Sequence, residues 1–288
     1  MKIVDNLFSH HYINQTNYTK EDSYIKYNGR FIGELVQVSE KTIHTLIYSE
    51  RIVNETCALL NYGAGNQGCD IVNSKGESFL RANYAMAKGG HSFAKHASMC
   101  IKAQAGNCSG HADVAYYLIS KDNVTLPVGR ATSDVNDHAF VVIGDPRDNA
   151  HETVIVDAWP SLATPFLLKN SERSIINRNP TIKEWLPVGK KPPQNVPIEK
   201  IPLRDITHFF KEHDMPEIGN KLSKHLIQDI VTSHSICDHL TTLENPKTSY
   251  LSKSSLKRVD TDTIRADIFH SKMAGYKKSL KLRKNHDV

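Results

Sequence analysis

Residues 106–121, GNCSGHADVAYYLISK, and residues 137–160, DHAFVVIGDPRDNAHETVIVDAWP, decide how this chain is read. In the first stretch Cys108, Ala112, Ala115, Tyr116 and Ile119 recur at helical spacing, so Cys108 heads the buried stripe of a helix ending near Lys121. The second stretch changes texture. Ala139–Ile143 and Thr153–Val156 are short, β-branched apolar runs, and the turn-rich Gly144–Asn149 between them calls for two antiparallel strands.

A cysteine that opens a helix is a chemical arrangement as well as a structural one. The thiolate is the nucleophilic form, and a helix N-terminus offers it partial positive charge and unpaired backbone N–H groups. The base has to come from another element, and a third group has to hold the imidazole in one tautomer. His138 stands just before the first strand and Asp157 ends the second, 19 residues later, so a hairpin brings both to one end of a sheet. Cys108, His138 and Asp157 are therefore the candidate catalytic residues.

Two other readings compete. His111, three residues after Cys108, lies on the same helical face, but a base on that helix is poorly oriented across a substrate, and Asp113 faces elsewhere. His91, His96, Cys100, Cys108 and His111 supply the mixed nitrogen and sulfur donors that suit zinc. Their spacing contains no C-x2-C or H-x3-H pair, and a metal there leaves the texture around His138 and Asp157 unexplained. No metal and no cofactor are expected. A non-catalytic or zinc-stabilised interaction module is the alternative function.

The three segments G106-N-C, D137-H-A-F-V-V-I and V154-I-V-D-A-W-P, in that order, resemble the papain-like and transglutaminase-like cysteine enzymes, especially the compact forms found in bacterial effectors and toxins. The resemblance spans roughly residues 100–165. It implies an α+β fold with a papain-like or transglutaminase-like core, in which the catalytic helix packs on an antiparallel sheet, plus helical N- and C-terminal regions. It also implies Cys108 as nucleophile, His138 as base and Asp157 as its orienting acid. The short spacing from Cys108 to His138 is closer to the transglutaminase-like members. Papain-like proteases carry an oxyanion glutamine several residues before the cysteine, whereas Gln104 is only four positions upstream, a departure from that pattern. The Cys108 N–H is one oxyanion donor; Gln104, Asn107 or Gln67 is the second, with Gln104 ranked first. A protease, a glutamine deamidase and a transglutaminase share the resulting acyl-enzyme. The substrate implied is a host protein, reached by a specialised secretion system that delivers the enzyme into the host cytosol.

Outward from this centre, apolar residues from Ser39 to Leu60 repeat at three- and four-residue steps, as in an amphipathic helix, and Asn61–Gly68 stops it. A second helix runs from about Glu77 to Ala94 and resumes to Ala103 after Gly89-Gly90. Residues 1–30 are polar and aperiodic. The stretch 177–202 is dense in Pro, Gly and Lys; with a linker at 186–200, it separates a catalytic domain over 1–185 from a helical region over 201–288. There, Ile201–Lys211, Pro216–Leu243 and Thr261–Leu282 read as helices. Cys57 is expected in the core, His151 in an exposed loop, and Trp159 beside the imidazole.

With 39% hydrophobic and 23% charged residues over 288 positions, the composition is that of a globular protein. A net charge of +5 is mild for this length, and nucleic acid is not an expected partner. The excess gathers at Lys277, Lys278, Lys281, Arg283 and Lys284. That cluster reads first as a solvated helix face and second as a contact for an anionic membrane. Five cysteines, an odd and thinly spread number, argue for free thiols in a reducing compartment. No run approaches the roughly 20 apolar residues that span a bilayer, and the first residues lack the apolar stretch of a secretory signal, so Sec-type export is not expected.

Overall fold

The computed structural model describes residues 12–14, 34–90, 92–149, 151–186, 199–211, 215–228, 236–261 and 263–284. Its first half opens with strands β1 (Tyr12–Asn14) and β2 (Glu34–Val38) and continues through helices α1 (Glu40–Leu59), α2 (Gly68–Asn73), α3 (Glu77–Gly89), α4 (Phe93–Ala103) and α5 (Cys108–Ile119). Strands β3 (Val128–Ser133) and β4 (His138–Ile143) follow, then the one-turn α6 (Pro146–Asn149), β5 (Val154–Val156), β6 (Phe166–Leu167) and β7 (Thr181–Trp185). Helices α7 (Leu203–Lys211) and α8 (Asn220–Gln228) lead to β8 (Thr248–Ser252), β9 (Arg258–Asp260), β10 (Thr263–Arg265) and α9 (Ala266–Lys284). This mixed composition agrees with the α+β expectation.

The centre is a five-stranded antiparallel sheet in the order β6-β5-β4-β3-β7. All six residues of β4 are buried. Phe140 and Val142 join a core with Ile43, Leu46 and Tyr250, whereas Val141 and Ile143 join another with Ala115, Tyr116 and Ile119 of α5. Burial on both faces is why HAFVVI is a continuous apolar run rather than an alternating one. β3 carries Gly129 and Arg130 in place of such a run, so its pairing with β4 was not legible from texture.

α1 starts where the Ser39 hydroxyl caps the Thr42 N–H at 3.2 Å, and its inward face is the expected stripe of Ile43, Leu46, Ile52 and Val53. Cys57 does not join it. Expected in the core, it is exposed on α1, with its thiol 3.7 Å from the Ala158 carbonyl. The break between α3 and α4 falls at Gly90, in the left-handed region at φ +64°.

The C-terminal region differs most from its all-helical expectation. α8 covers Asn220–Gln228 of the helix read over Pro216–Leu243, and residues 236–243 of that reading instead hydrogen-bond to other elements: Gly68 N to Cys237 O at 2.8 Å, Leu162 N to Leu240 O at 2.7 Å, and Glu172 N to Thr242 O at 2.8 Å. A chain whose carbonyls are taken by distant amides has no i to i−4 ladder to complete. β8 pairs in parallel with β2 and antiparallel with β9, and β10 pairs with β1; this takes Thr263–Arg265 out of the helix expected from Thr261, which begins at Ala266. Leu243 and Tyr250 share a core with Val36, Phe140 and Phe166, and Ile206, Leu222 and Leu226 share another with Ile71 and Leu80, so both sides of 186–200 contribute to common cores. Most of that linker, and residues 1–11 and 15–33 of the N-terminal arm, lie outside the described residues. No helix among the described residues is long and apolar enough to cross a membrane.

Candidate active site

Cys108 is the first residue of α5, entered through Asn107 in extended backbone. The loop 63–67 is laid against this entry: Gly65 N donates to Gly106 O at 3.1 Å, and Gly106 N donates to Gly63 O. A Cβ on Gly65 would lie 2.4 Å from Ala82 Cβ, so the close approach depends on glycine there. Cys108 is half-buried, and its thiol points loosely at the Asp137 carbonyl, 3.8 Å away.

Asp137 ends the β3–β4 turn in the left-handed region at φ +42°, which an aspartate tolerates better than a branched residue, and the chain then enters β4 at His138. Val141 lies opposite Val156 and Ile143 opposite Val154, so His138 and Asp157 emerge at the same end of the β4–β5 pair. The expected hairpin thus brings them together. His138 Nε2 is 2.7 Å from Asp157 Oδ2, with both side chains buried.

The carboxylate is held on three sides. Thr242 Oγ1 donates to Asp157 Oδ2 at 2.8 Å, and Trp159 N donates to Oδ1 at 3.2 Å. The Trp159 ring packs on His138 at 4.6 Å between centroids and on His239 at 5.4 Å, as expected of a residue beside the imidazole. Burial opposes charge on His138. The Asp157 carboxylate, its hydrogen bond and the neighbouring Cys108 side chain outweigh that, and the imidazole pKa is pushed up to about 10. Nδ1 is buried and has no hydrogen-bond partner among the described residues. The raised pKa favours the protonated ring, and Nδ1 is the nitrogen left to face the Cys108 side chain.

Gln104 caps α4 in the left-handed region at φ +62°, its carbonyl accepting from Tyr62 N at 3.0 Å. Asn107 caps α5 without a side-chain bond, and its Oδ1 is buried and unpaired among the described residues. Gln67 is fully buried; its Oε1 accepts from His239 N at 3.0 Å, while its Nε2 has no partner among the described residues.

The zinc-type donors are dispersed. Cys108 sits by His138, His111 Nδ1 is 3.0 Å from Asn107 O, and His91 lies outside the described residues. His96 and Cys100 do meet, but as part of a second Cys-His-Asp set: Cys100 Sγ is 3.6 Å from His96 Nε2, and His96 Nδ1 is 2.7 Å from Asp113 Oδ2. Arg130 pairs with the other oxygen of Asp113. Cys100 is 0% exposed and burial pushes its thiol pKa upward, so no substrate reaches it.

Sequence reasoning missed Thr242, whose signal was hidden in a stretch with helical periodicity. Of the basic C-terminal residues, Arg283 turns inward, 2.5 Å from Asp238 and donating to Ile236 O at 3.1 Å. No protein-family description, curated protein or solved structure matches this chain.

Proposed function

We propose that this protein is a thiol-dependent acyl-transfer enzyme acting on a carboxamide of a protein substrate, with Cys108 as nucleophile, His138 as base and acid, and Asp157 as the carboxylate that orients His138. The observation that carries this reading is the buried 2.7 Å His138–Asp157 pair whose free Nδ1 adjoins a half-buried cysteine at a helix N-terminus.

The Cys108 sulfur attacks the carboxamide carbon, and negative charge develops on its oxygen. The Cys108 N–H, first in α5 and unpaired within the helix, donates to that oxygen. Gln104 is the first-ranked second donor; Gln67, its Oε1 held by His239 N, is as fully enclosed as Cys100 and reaches no substrate. His138 Nδ1–H then protonates the departing nitrogen, leaving a thioester. Water activated by neutral His138 completes hydrolysis or deamidation; an amine acceptor in its place completes transglutamination. Host-protein substrates and delivery into a host cytosol rest on the family resemblance.

Alkylation by iodoacetamide at pH 6 tests the activated thiol, with the same protein unfolded in denaturant as the reference because burial pushes the Cys57 thiol up to about 11. Labelling of Cys108 faster in the folded than in the unfolded protein, collapsing in His138→Ala, supports the reading; a folded rate no faster than the unfolded one overturns it. Intact mass of candidate substrates, compared with Cys108→Ser, then separates a gain of about one mass unit from cleavage or cross-linking.

A further inference from the structure

A cavity of about 490 Å³ shares Trp159 with the active site yet is lined by none of Cys108, His138 and Asp157. Its walls come from α1, the loop before α2, His111 of α5, residues 158–164 and two side chains of α9. This is the size of a small-molecule site. Val53, Leu60, Trp159 and Leu162 give it apolar walls. Asp70 and Lys272, also in the lining, neutralise each other as an ion pair, and Asp70 Oδ2 also accepts from Ala64 N at 2.8 Å.

Glu50, Asn54, Asn61, Ser161 and Thr164 add polar groups to the lining, and His111, 3% exposed, is the one set deepest among the helices. Its Nδ1 lies 3.0 Å from Asn107 O, and a carbonyl only accepts, so Nδ1 carries the ring proton and Nε2 keeps a lone pair. Burial holds the ring pKa below its ordinary value, which keeps it neutral. Nε2 has no partner among the described residues and lies on the opposite edge of a ring that lines the cavity. A ligand that brings a hydroxyl or N–H donor to that edge meets the lone pair.

We propose that this cavity binds a small molecule with an apolar body and a hydroxyl or N–H donor that meets His111 Nε2. The ligand packs against Trp159, whose ring also packs on His138, so one ring separates the site from the imidazole.

Trp159 supplies the readout, isolated in a Trp185→Phe background and excited at 295 nm. The probes are 4-butylphenol and 4-butylanisole, which share a body and differ in the donor. Saturable change in Trp159 emission is expected with the phenol, with the anisole at least tenfold weaker. His111→Phe should bring phenol affinity down to that of the anisole. Ala58→Phe, an exposed position on the α1 wall, should weaken both probes and tests the cavity without altering a buried residue. The proposal is overturned by no saturable response to the phenol, by equal affinity for the two probes in the parent protein, by discrimination that survives in His111→Phe, or by unchanged binding in Ala58→Phe.

Discussion

Replacing Asp157 by Asn removes one charge while keeping the shape of the side chain, and the consequences can be worked out atom by atom. Oδ2 of Asp157 receives donors from His138 and Thr242, and Oδ1 receives one from Trp159 N. An asparagine has one oxygen; with that oxygen serving His138 and Thr242, its NH2 confronts the Trp159 N–H. The larger effect is on His138. At 2.7 Å and an effective dielectric near 20, the ion pair is worth about 6 kcal/mol. Raising an imidazole pKa from 6.5 to about 10 corresponds to about 5 kcal/mol, the same order. Without the carboxylate, burial alone acts on the ring, and its pKa falls below 6.5 instead of rising. At pH 6 Cys108 then loses its imidazolium, and its alkylation rate is expected to drop about a hundredfold. Mass spectrometry of the labelled peptides measures this against the denatured protein, while buried Cys69 and Cys100 must stay unlabelled if the variant is folded. A folded Asp157→Asn protein that alkylates Cys108 within threefold of the wild-type rate would refute the reasoning.

The His138 shift also has a thermodynamic signature. Because the folded pKa lies above the unfolded one, the stabilisation is complete below pH 6.5 and is lost as pH rises through about 10, so wild type should lose about 2–5 kcal/mol relative to His138→Gln over that window in denaturant melts. Thr242→Val should cost about 1.5–3 kcal/mol in the same assay by stripping a donor from a buried carboxylate, with Thr242→Ser restoring most of it; an unchanged midpoint for Thr242→Val would show that the bond carries no weight. Gly63→Ala should destabilise more than Gly90→Ala. Both positions have positive φ, costing about 1–3 kcal/mol, but a Cβ on Gly63 meets Asp70 Oδ2 at 2.4 Å and one on Gly90 meets nothing. Cys100→Ala is expected to leave Cys108 alkylation within about twofold, and a large fall would assign the second histidine set to the chemistry.

What could be read from the sequence depended on whether a residue's environment was written nearby. Cys108, His138 and Asp157 each sit at the end of an element whose periodicity is local, so the helix start and the hairpin were legible together. Thr242 and Gln67 were harder, since each owes its position to contacts across 85 or more residues: Thr242 with Asp157, and Gln67 Oε1 with His239 N. The stretch 236–243 shows why the helical reading failed there. Its apolar residues Ile236, Leu240 and Leu243 have helical spacing and are all buried, but the carbonyls of Cys237, His239 and Leu240 accept from Gly68, Ser161 and Leu162. Tertiary pairing overrode a periodicity that was itself genuine.

The chain holds two cysteine-histidine-aspartate sets, and their residue types alone do not rank them. In both, a carboxylate grips one imidazole nitrogen at 2.7 Å and a cysteine adjoins the other. They differ in what else is satisfied. Asp113 is shared between His96 and Arg130, so a guanidinium already answers the charge that would otherwise act on His96 alone. Asp157 has only neutral donors besides His138, so its charge acts on the imidazole undivided. Cys100 lies inside a packed core, where a Cβ on Gly110 would come within 2.8 Å of its sulfur, whereas Cys108 keeps an exposed flank at the start of a helix. A buried thiol with a compensated partner is a packing group. A half-buried thiol at a helix terminus, facing a histidine whose counter-charge is unshared, is the one of the two that a reagent in solution can reach.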